Sequence, residues 1–267
     1  MEIRTGKVRT GSFCMDHFSF GSGGKTLVIL PGLSVQPITP ASQAVALAYS
    51  VFAKDFTVYL FDRVSDPPAG YTVRDMARDT ENAISSLGLD EIYLFGASQG
   101  GMIALEMAAE HKINVKKLAV ASSALHTGDA AAAITESWIN KALSGDAEGL
   151  YSEFGRTVYP EDVFVRYGDT LSAAAKTVTR DELERFAIFA SAVKGYFSSA
   201  NRNNVRCPLF AVGSDDDAIF GADSVNAFAA EFGGNAGFTS FLYRGFGHAV
   251  YDTAPDFKER LYGFFIS

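Results

Sequence analysis

Gly96-Ala97-Ser98-Gln99-Gly100-Gly101 constrains the fold of this chain more than any other stretch. Before it runs Glu91-Ile92-Tyr93-Leu94-Phe95, rich in the β-branched and aromatic residues that fill strands. After it, Met102 to Glu110 places Met102, Leu105, Met107 and Ala109 in helical surroundings. The stretch is therefore a strand-to-helix corner. Glycines two before and two after Ser98 let the strand and helix backbones approach without Cβ clashes, and the G-x-S-x-G spacing is that of a nucleophile elbow. At such a corner the serine hydroxyl stands at the carboxyl edge of a sheet. The helix behind it turns free backbone N–H groups and its positive dipole end toward any oxyanion formed there.

Residues 3 to 10 and 12 to 20 alternate apolar and polar side chains, which predicts two antiparallel strands, and Gly21-Ser22-Gly23-Gly24 follows as a turn. Thr26-Leu27-Val28-Ile29-Leu30 is a continuous apolar run, as a strand covered on both faces requires. A helix is expected over residues 41 to 54, a buried strand over Phe56 to Phe61, and a loop over Asp62 to Gly70. Thr72-Val73-Arg74-Asp75 resembles a capping box, and the stripe of Val73, Met76, Ala83, Ile84 and Leu87 gives a helix that Gly88 ends. Strand, corner and helix follow, then Lys117 to Ala121 as the next strand. Buried strands alternating with helices predict an α/β fold, a mostly parallel sheet with helices on both faces.

That alternation stops after Ser123 and resumes with Pro208-Leu209-Phe210-Ala211-Val212, a helix near 222 to 232, a strand near Gly237 to Tyr243 and a closing helix from about Ala254. The intervening sequence is helix-forming and contains Trp138, Phe154, Phe164, Tyr167, Phe186, Phe189, Tyr196 and Phe197. The expected organisation is a core of residues 1–123 and 204–267 with residues 124–203 inserted as a helical cap at the carboxyl end of the sheet.

With 267 residues, 48% hydrophobic and 20% charged, the chain can bury a sizeable core. Its 23 basic and 31 acidic residues give a net charge of −8 with no Lys/Arg cluster, so nucleic acid and anionic lipid are not expected partners. The N-terminus lacks the apolar segment of a signal peptide and no run reaches membrane-spanning length, which predicts a cytoplasmic protein. In that compartment Cys14 and Cys207 are expected as two buried free thiols, and neither has metal-ligand spacing.

A serine hydroxyl becomes a good nucleophile when an imidazole, itself oriented by a carboxylate, takes its proton. Of the four histidines, His248 lies just past the last predicted strand, at the same edge as Ser98. His126 also follows a strand and is the reserve candidate, whereas His17 within a strand and His111 at a helix end have structural roles. The acid is expected to end a strand too, which Val212-Gly213-Ser214-Asp215-Asp216-Asp217 does, and the order serine, acid, histidine is the one found on α/β-hydrolase sheets.

In these three motifs the chain resembles the α/β-hydrolase superfamily over nearly its whole length outside the cap. In similar proteins the acid commonly comes three residues after a strand-ending glycine, which implies Asp216. The resemblance also implies that the backbone amides of Leu33, in Pro31-Gly32-Leu33, and Gln99 form an oxyanion hole, each donor worth about 3 kcal/mol in the transition state. The chain departs from the common pattern at Pro31, where many relatives carry His, at Val64 to Pro68, where many carry Gly-x-Gly-x-Ser, and at Phe220, where a proline is frequent.

The resemblance implies hydrolysis of an ester or thioester of a small, largely apolar carboxylic acid. Ser98 would be the nucleophile, His248 base and then acid, and Asp216 the orienting carboxylate, with no metal or organic cofactor. Trp138, Phe154, Phe186 and Phe189 are the candidate walls of an apolar pocket. Lactone opening, carbon–carbon bond hydrolysis and acyl transfer use the same constellation. A different class of reading is a triad-bearing ligand-binding or signalling module with little turnover. The expected partner is a small-molecule substrate, and oligomeric state is not readable from the chain.

Overall fold

The computed structural model describes residues 1–267. Its strands are β1 (Ile3–Arg9), β2 (Cys14–Phe20), β3 (Lys25–Leu30), β4 (Phe56–Phe61), β5 (Glu91–Ala97), β6 (Asn114–Ala121), β7 (Leu209–Ser214) and β8 (Phe238–Tyr243). They form one sheet in the order β1-β2-β4-β3-β5-β6-β7-β8. Only the pairings β1 to β2 and β2 to β4 are antiparallel; the others are parallel. β5, which leads into Ser98, lies between β3 and β6, so the candidate nucleophile is carried by an interior strand.

The helices of the sheet layer are α1 (Ser42–Ala48), α2 (Val73–Ser86), α3 (Gln99–Glu110), α8 (Gly221–Phe232), the single turn α9 (Val250–Thr253) and α10 (Phe257–Ile266). The inserted helices are α4 (Asp129–Ser144), α5 (Ala147–Val158), α6 (Glu161–Thr177) and α7 (Arg180–Ser191). The helix expected over residues 41 to 54 is α1 flanked by two 3-10 turns, and the closing helix begins three residues later than Ala254. Thr72 closes the expected capping box on α2, its hydroxyl accepting from the Asp75 amide while the Asp75 carboxylate accepts from the Thr72 amide.

Strand side chains point alternately to the two faces of a sheet, and the core divides accordingly. Val28, Leu30, Ile92, Leu94, Leu118, Val120, Leu209 and Ala211 pack with α2, α3 and α8. Their neighbours Leu27, Ile29, Phe95, Ala97, Ala119, Ala121, Phe210 and Val212 pack on the other face with α1 and α10, against Phe52, Phe257 and Phe265. Each fully buried phenylalanine contributes up to about 3 kcal/mol of transfer free energy. This double coverage explains why the central strands read as unbroken apolar runs rather than alternating ones.

The inserted helices have a third core of their own, built on Trp138, Ile139, Leu150, Tyr151, Leu183 and Phe186. Cys14 and Cys207 are free thiols, half-buried rather than fully buried. No helix is long and apolar enough to cross a membrane.

Candidate active site

Ser98 occupies the corner between β5 and α3 with φ 51° and ψ −121°, a conformation that costs a non-glycine residue about 1–3 kcal/mol. Two glycines make that corner possible. A Cβ on Gly96 would stand 2.3 Å from the Gly100 carbonyl oxygen, and one on Gly100 would stand 2.1 Å from that of Leu30. The sheet ladder continues past the strand end, with the Ser98 amide donating to the Ala121 carbonyl at 2.8 Å. The backbone of the candidate nucleophile is thereby held to the neighbouring strand.

The Ser98 hydroxyl lies 2.9 Å from Nε2 of His248, and Nδ1 of His248 lies 2.9 and 3.0 Å from the two carboxylate oxygens of Asp217. His248 and Asp217 are buried, 2% and 5% exposed. An ionised carboxylate can only accept, so the Nδ1 proton faces Asp217 and Nε2 is left to accept from Ser98. Burial pushes the Asp217 carboxyl up. The attraction of His248, its hydrogen bond and the amides of Ile219 and Phe220 more than offset this, and Asp217 is held below the ordinary aspartate range.

The carboxylate on His248 is thus Asp217, and the expectation of Asp216 is corrected. β7 extends through Ser214, with Gly213 paired inside it to Leu242, so Gly213 does not end the strand and counting from it stops one residue short. Asp216 makes no hydrogen bond to His248. Its Oδ1 accepts from the Ser214 hydroxyl at 2.5 Å and from the amides of Phe246 and Gly247 at 3.1 and 3.0 Å, so it braces the loop that carries the histidine. Its carboxyl is also lowered, burial being outweighed by these hydrogen bonds.

Leu33 and Gln99 both line the cavity over Ser98. Gln99 is the first residue of α3, so its amide is one of those with no partner inside the helix. The Gln99 side chain, which sequence reasoning gave no part, is 1% exposed; its Nε2 donates to the Phe189 carbonyl at 2.7 Å. Its Oε1 accepts from Nε of Arg63 at 3.4 Å, and Nη2 of Arg63 donates to the Pro31 carbonyl at 2.7 Å. Burial lowers the Arg63 guanidinium to about 10. One buried cation therefore ties the loop after β3 to the residue after the candidate nucleophile. The sequence signal for it was Asp62-Arg63 at the end of β4, the same edge that supplies the other site groups.

The cavity over Ser98 is about 30 Å³, room for one or two waters. Trp138 and Phe154 line it, their rings tilted at 48° to one another with centroids 4.8 Å apart. Phe186 and Phe189 do not line it, a second correction. Phe186 is fully buried in the inserted helices' own core, and Phe189 packs into the sheet core beside Tyr71. Both sit on the buried face of α7; helical spacing identifies such a face but not what it meets. Met102, Thr135, Val158, Val193, Ile219, Phe220 and Tyr251 complete the lining and were not foreseen.

His126 is exposed and pairs with Phe197 in an isolated bridge, away from this cavity, His17 lies in β2, and His111 caps α3 in a left-handed conformation. No group of three or more His, Cys, Asp or Glu side chains is placed to hold a metal ion. A larger cavity of about 760 Å³ lies between the loop before α2 and helices α4 and α7 but contains none of Ser98, Asp217 or His248.

A family model described as alpha/beta hydrolase fold matches residues 25–255. The chain belongs to the α/β-hydrolase family. A search of curated protein sequences gave no match. Among solved structures, the α/β-hydrolase enzyme MGS-M2 from a Medee basin deep-sea metagenome library is similar with TM-score 0.85 and 18% identity over 98% of each chain. The enol-lactonase from Burkholderia xenovorans LB400 is similar with TM-score 0.80 and 16% identity over 98% of this chain and 100% of its own. A thermophilic esterase from Thermogutta terrifontis is similar with TM-score 0.79 and 15% identity over 98% of each. These identities carry the fold of this α/β-hydrolase family member and not its substrate.

Proposed function

We propose that this α/β-hydrolase family member is a serine hydrolase that cleaves esters or thioesters of small, largely apolar carboxylic acids through an acyl-enzyme. The observation that carries this reading is the unbroken hydrogen-bonded chain Asp217–His248–Ser98 at one edge of the sheet. Ser98 Oγ attacks the acyl carbon while its proton passes to Nε2 of His248, and Asp217 stabilises the resulting imidazolium. The Leu33 and Gln99 amides hold the oxygen that gains charge. His248 then returns the proton to the leaving alcohol or thiol; in the second half it takes a proton from the water that attacks the acyl carbon and passes it to Ser98 Oγ as the acyl–Oγ bond breaks, which releases the acid and restores the serine. No step calls for a metal or organic cofactor.

The restricted, mostly apolar cavity supports a small acyl group. The likeness to an enol-lactonase and to an esterase supports carboxylic ester chemistry, lactones included. The tightness of that same cavity favours a second reading, a triad-bearing module that binds a ligand and turns over little. Labelling wild-type and Ser98→Ala protein with a fluorophosphonate, followed by turnover of p-nitrophenyl esters of increasing acyl length, separates the two. Labelling confined to wild type with turnover that favours short chains supports the hydrolase. A folded wild-type protein that is not labelled overturns it.

A further inference from the structure

Most of the polar side chains around the cavity are already engaged. Ser98 and His248 bond to each other, the Gln99 amide group bonds to Phe189 and Arg63, and the Thr135 hydroxyl donates to the Ala131 carbonyl at 2.7 Å. The Trp138 indole nitrogen has no partner, but it is sealed away within the packing. Tyr251 is different: it lines the cavity, and its hydroxyl takes part in no hydrogen bond with the protein. Tyr251 is half-buried, and the hydroxyl of a tyrosine packed in this way ordinarily finds a partner.

Its position says what the partner is. A Cβ built on Gly32 would lie 3.5 Å from the Tyr251 hydroxyl and 3.3 Å from Cβ of Ser98. The hydroxyl and the nucleophile therefore flank the same point of the loop after β3, one residue before Leu33. The ring itself is fixed, because it packs against both the α10-side core and the core of the inserted helices, and α9 carries it three residues after His248.

We propose that the Tyr251 hydroxyl is a third hydrogen-bond donor to the acyl carbonyl oxygen, beside the Leu33 and Gln99 amides. This rests on the serine-hydrolase reading of the same site. As Ser98 Oγ forms its bond to the acyl carbon, the carbonyl π pair moves onto oxygen and the serine proton goes to His248. Tyr251 keeps its own proton throughout and shares it with that oxygen. Burial, and after it the charge of Asp252, hold the phenol well above its ordinary range, so it remains a donor wherever His248 can act as base. The small gap over Ser98 is thus polar on the Gly32 side and apolar on the Trp138 and Phe154 side, which orients an ester carbonyl before attack.

The test is Tyr251→Phe, which keeps the ring and removes the donor, assayed on p-nitrophenyl acetate and butyrate. The expected result is a fall in kcat of at least 10-fold with KM within about 2-fold. A similar rise is expected in Ki for a trifluoromethyl ketone, whose adduct with Ser98 carries an oxyanion. Unchanged kcat and Ki, in a variant that is still labelled by fluorophosphonate, overturn the role of Tyr251 and leave the hydrolase reading standing. Absence of labelling and turnover in wild type overturns both. Should the phenylalanine variant not fold, site-specific 3,5-difluorotyrosine at position 251 replaces it. Activity should then fall at a lower alkaline pH than in wild type, and an unshifted profile overturns the proposal.

Discussion

The cavity over Ser98 has two walls, and they are secured in different ways. On the sheet edge, Ser98, Asp217 and His248 sit within a few residues of strand ends, and the backbone ladder runs on past those ends. The Ser98 amide reaches Ala121, that of Ser122 reaches Val212, and that of Asp215 reaches Tyr243. On the side of the inserted helices, Trp138, Phe154 and Val158 are held by helix-on-helix packing. That unit meets the sheet layer through side-chain packing, Phe189 in the sheet core and Val35 and Ala249 in the insert's core, and through bonds such as Gln99 to Phe189, Arg185 to the carbonyls of Arg63 and Val64, Tyr151 to Gln36, and Ala249 to Val158. Reacting groups must hold their mutual geometry to within a fraction of an ångström, whereas a wall that selects a substrate can yield to admit it. In the proposed hydrolase the chemistry would stand on the ladder and the selection on the packed insert.

If this division holds, the largest losses come from the ladder side. Ser98→Ala should lower kcat on p-nitrophenyl esters by about 10⁶-fold with the melting temperature unchanged or raised, since a strained serine becomes no worse as alanine. Asp217→Asn should cost about 10⁴-fold, because the amide favours the wrong imidazole tautomer. Asp216→Asn should cost less than about 10²-fold, since the loop loses a brace and the base keeps its partner. Paired kinetics of the two variants check the assignment, and a larger loss at position 216 breaks it.

The same division explains what could be read from the chain. Ser98 and His248 were legible because each lies in a short motif against a strand end, where local geometry alone sets the direction of the side chain. The aspartate was one residue off because strand length depends on pairing: Gly213 and Ser214 belong to β7 only because Leu242 and Tyr243 lie opposite them. The walls were half legible. Trp138 and Phe154 line the cavity, but Phe186 and Phe189 share the same helical periodicity and are spent on two different cores. The side-chain roles of Gln99 and Arg63 join loops distant in the chain, and no local pattern announces them.

The wall on the insert side should respond in selectivity rather than in chemistry. Trp138→Ala opens space beside Ser98, so the preferred acyl chain should lengthen by two or more carbons while fluorophosphonate labelling stays within about 5-fold of wild type. Phe186→Ala, one core deeper, should leave the preferred chain length unchanged and lower stability by about 3–5 kcal/mol, read as an earlier denaturant midpoint. A shift in chain preference with Phe186→Ala and none with Trp138→Ala would reverse the roles given to these aromatics.

The smallest contrast is in the response to acid. Asp216 and Asp217 on the sheet edge are both held below the ordinary aspartate value against the effect of burial, Asp216 by hydrogen bonds and Asp217 first by the charge of His248 and then by hydrogen bonds. On the insert, Glu153 is lowered as well, burial being outweighed by Lys141 and Ser137, but there an ion pair with Lys141 carries part of the effect and salt screens it. A carboxyl whose folded value lies below its unfolded one binds fewer protons when folded. Its contribution is therefore complete above the unfolded value, near 3.8 for these aspartates, and is lost as pH falls through the lower folded value. Melting temperatures taken between pH 6 and pH 2.5 should accordingly decline less steeply below about pH 4 in Asp216→Asn than in wild type, with the variant's deficit at pH 6 narrowing as the pH falls. Glu153→Gln should change that slope by less, and 0.5 M salt should remove most of the change, because screening acts on the Glu153–Lys141 charge pair and less on the hydrogen bonds of Asp216, whose donors are uncharged. Equal slopes for the two variants would mean that the loop bearing His248 is no more firmly braced than the surface of the insert.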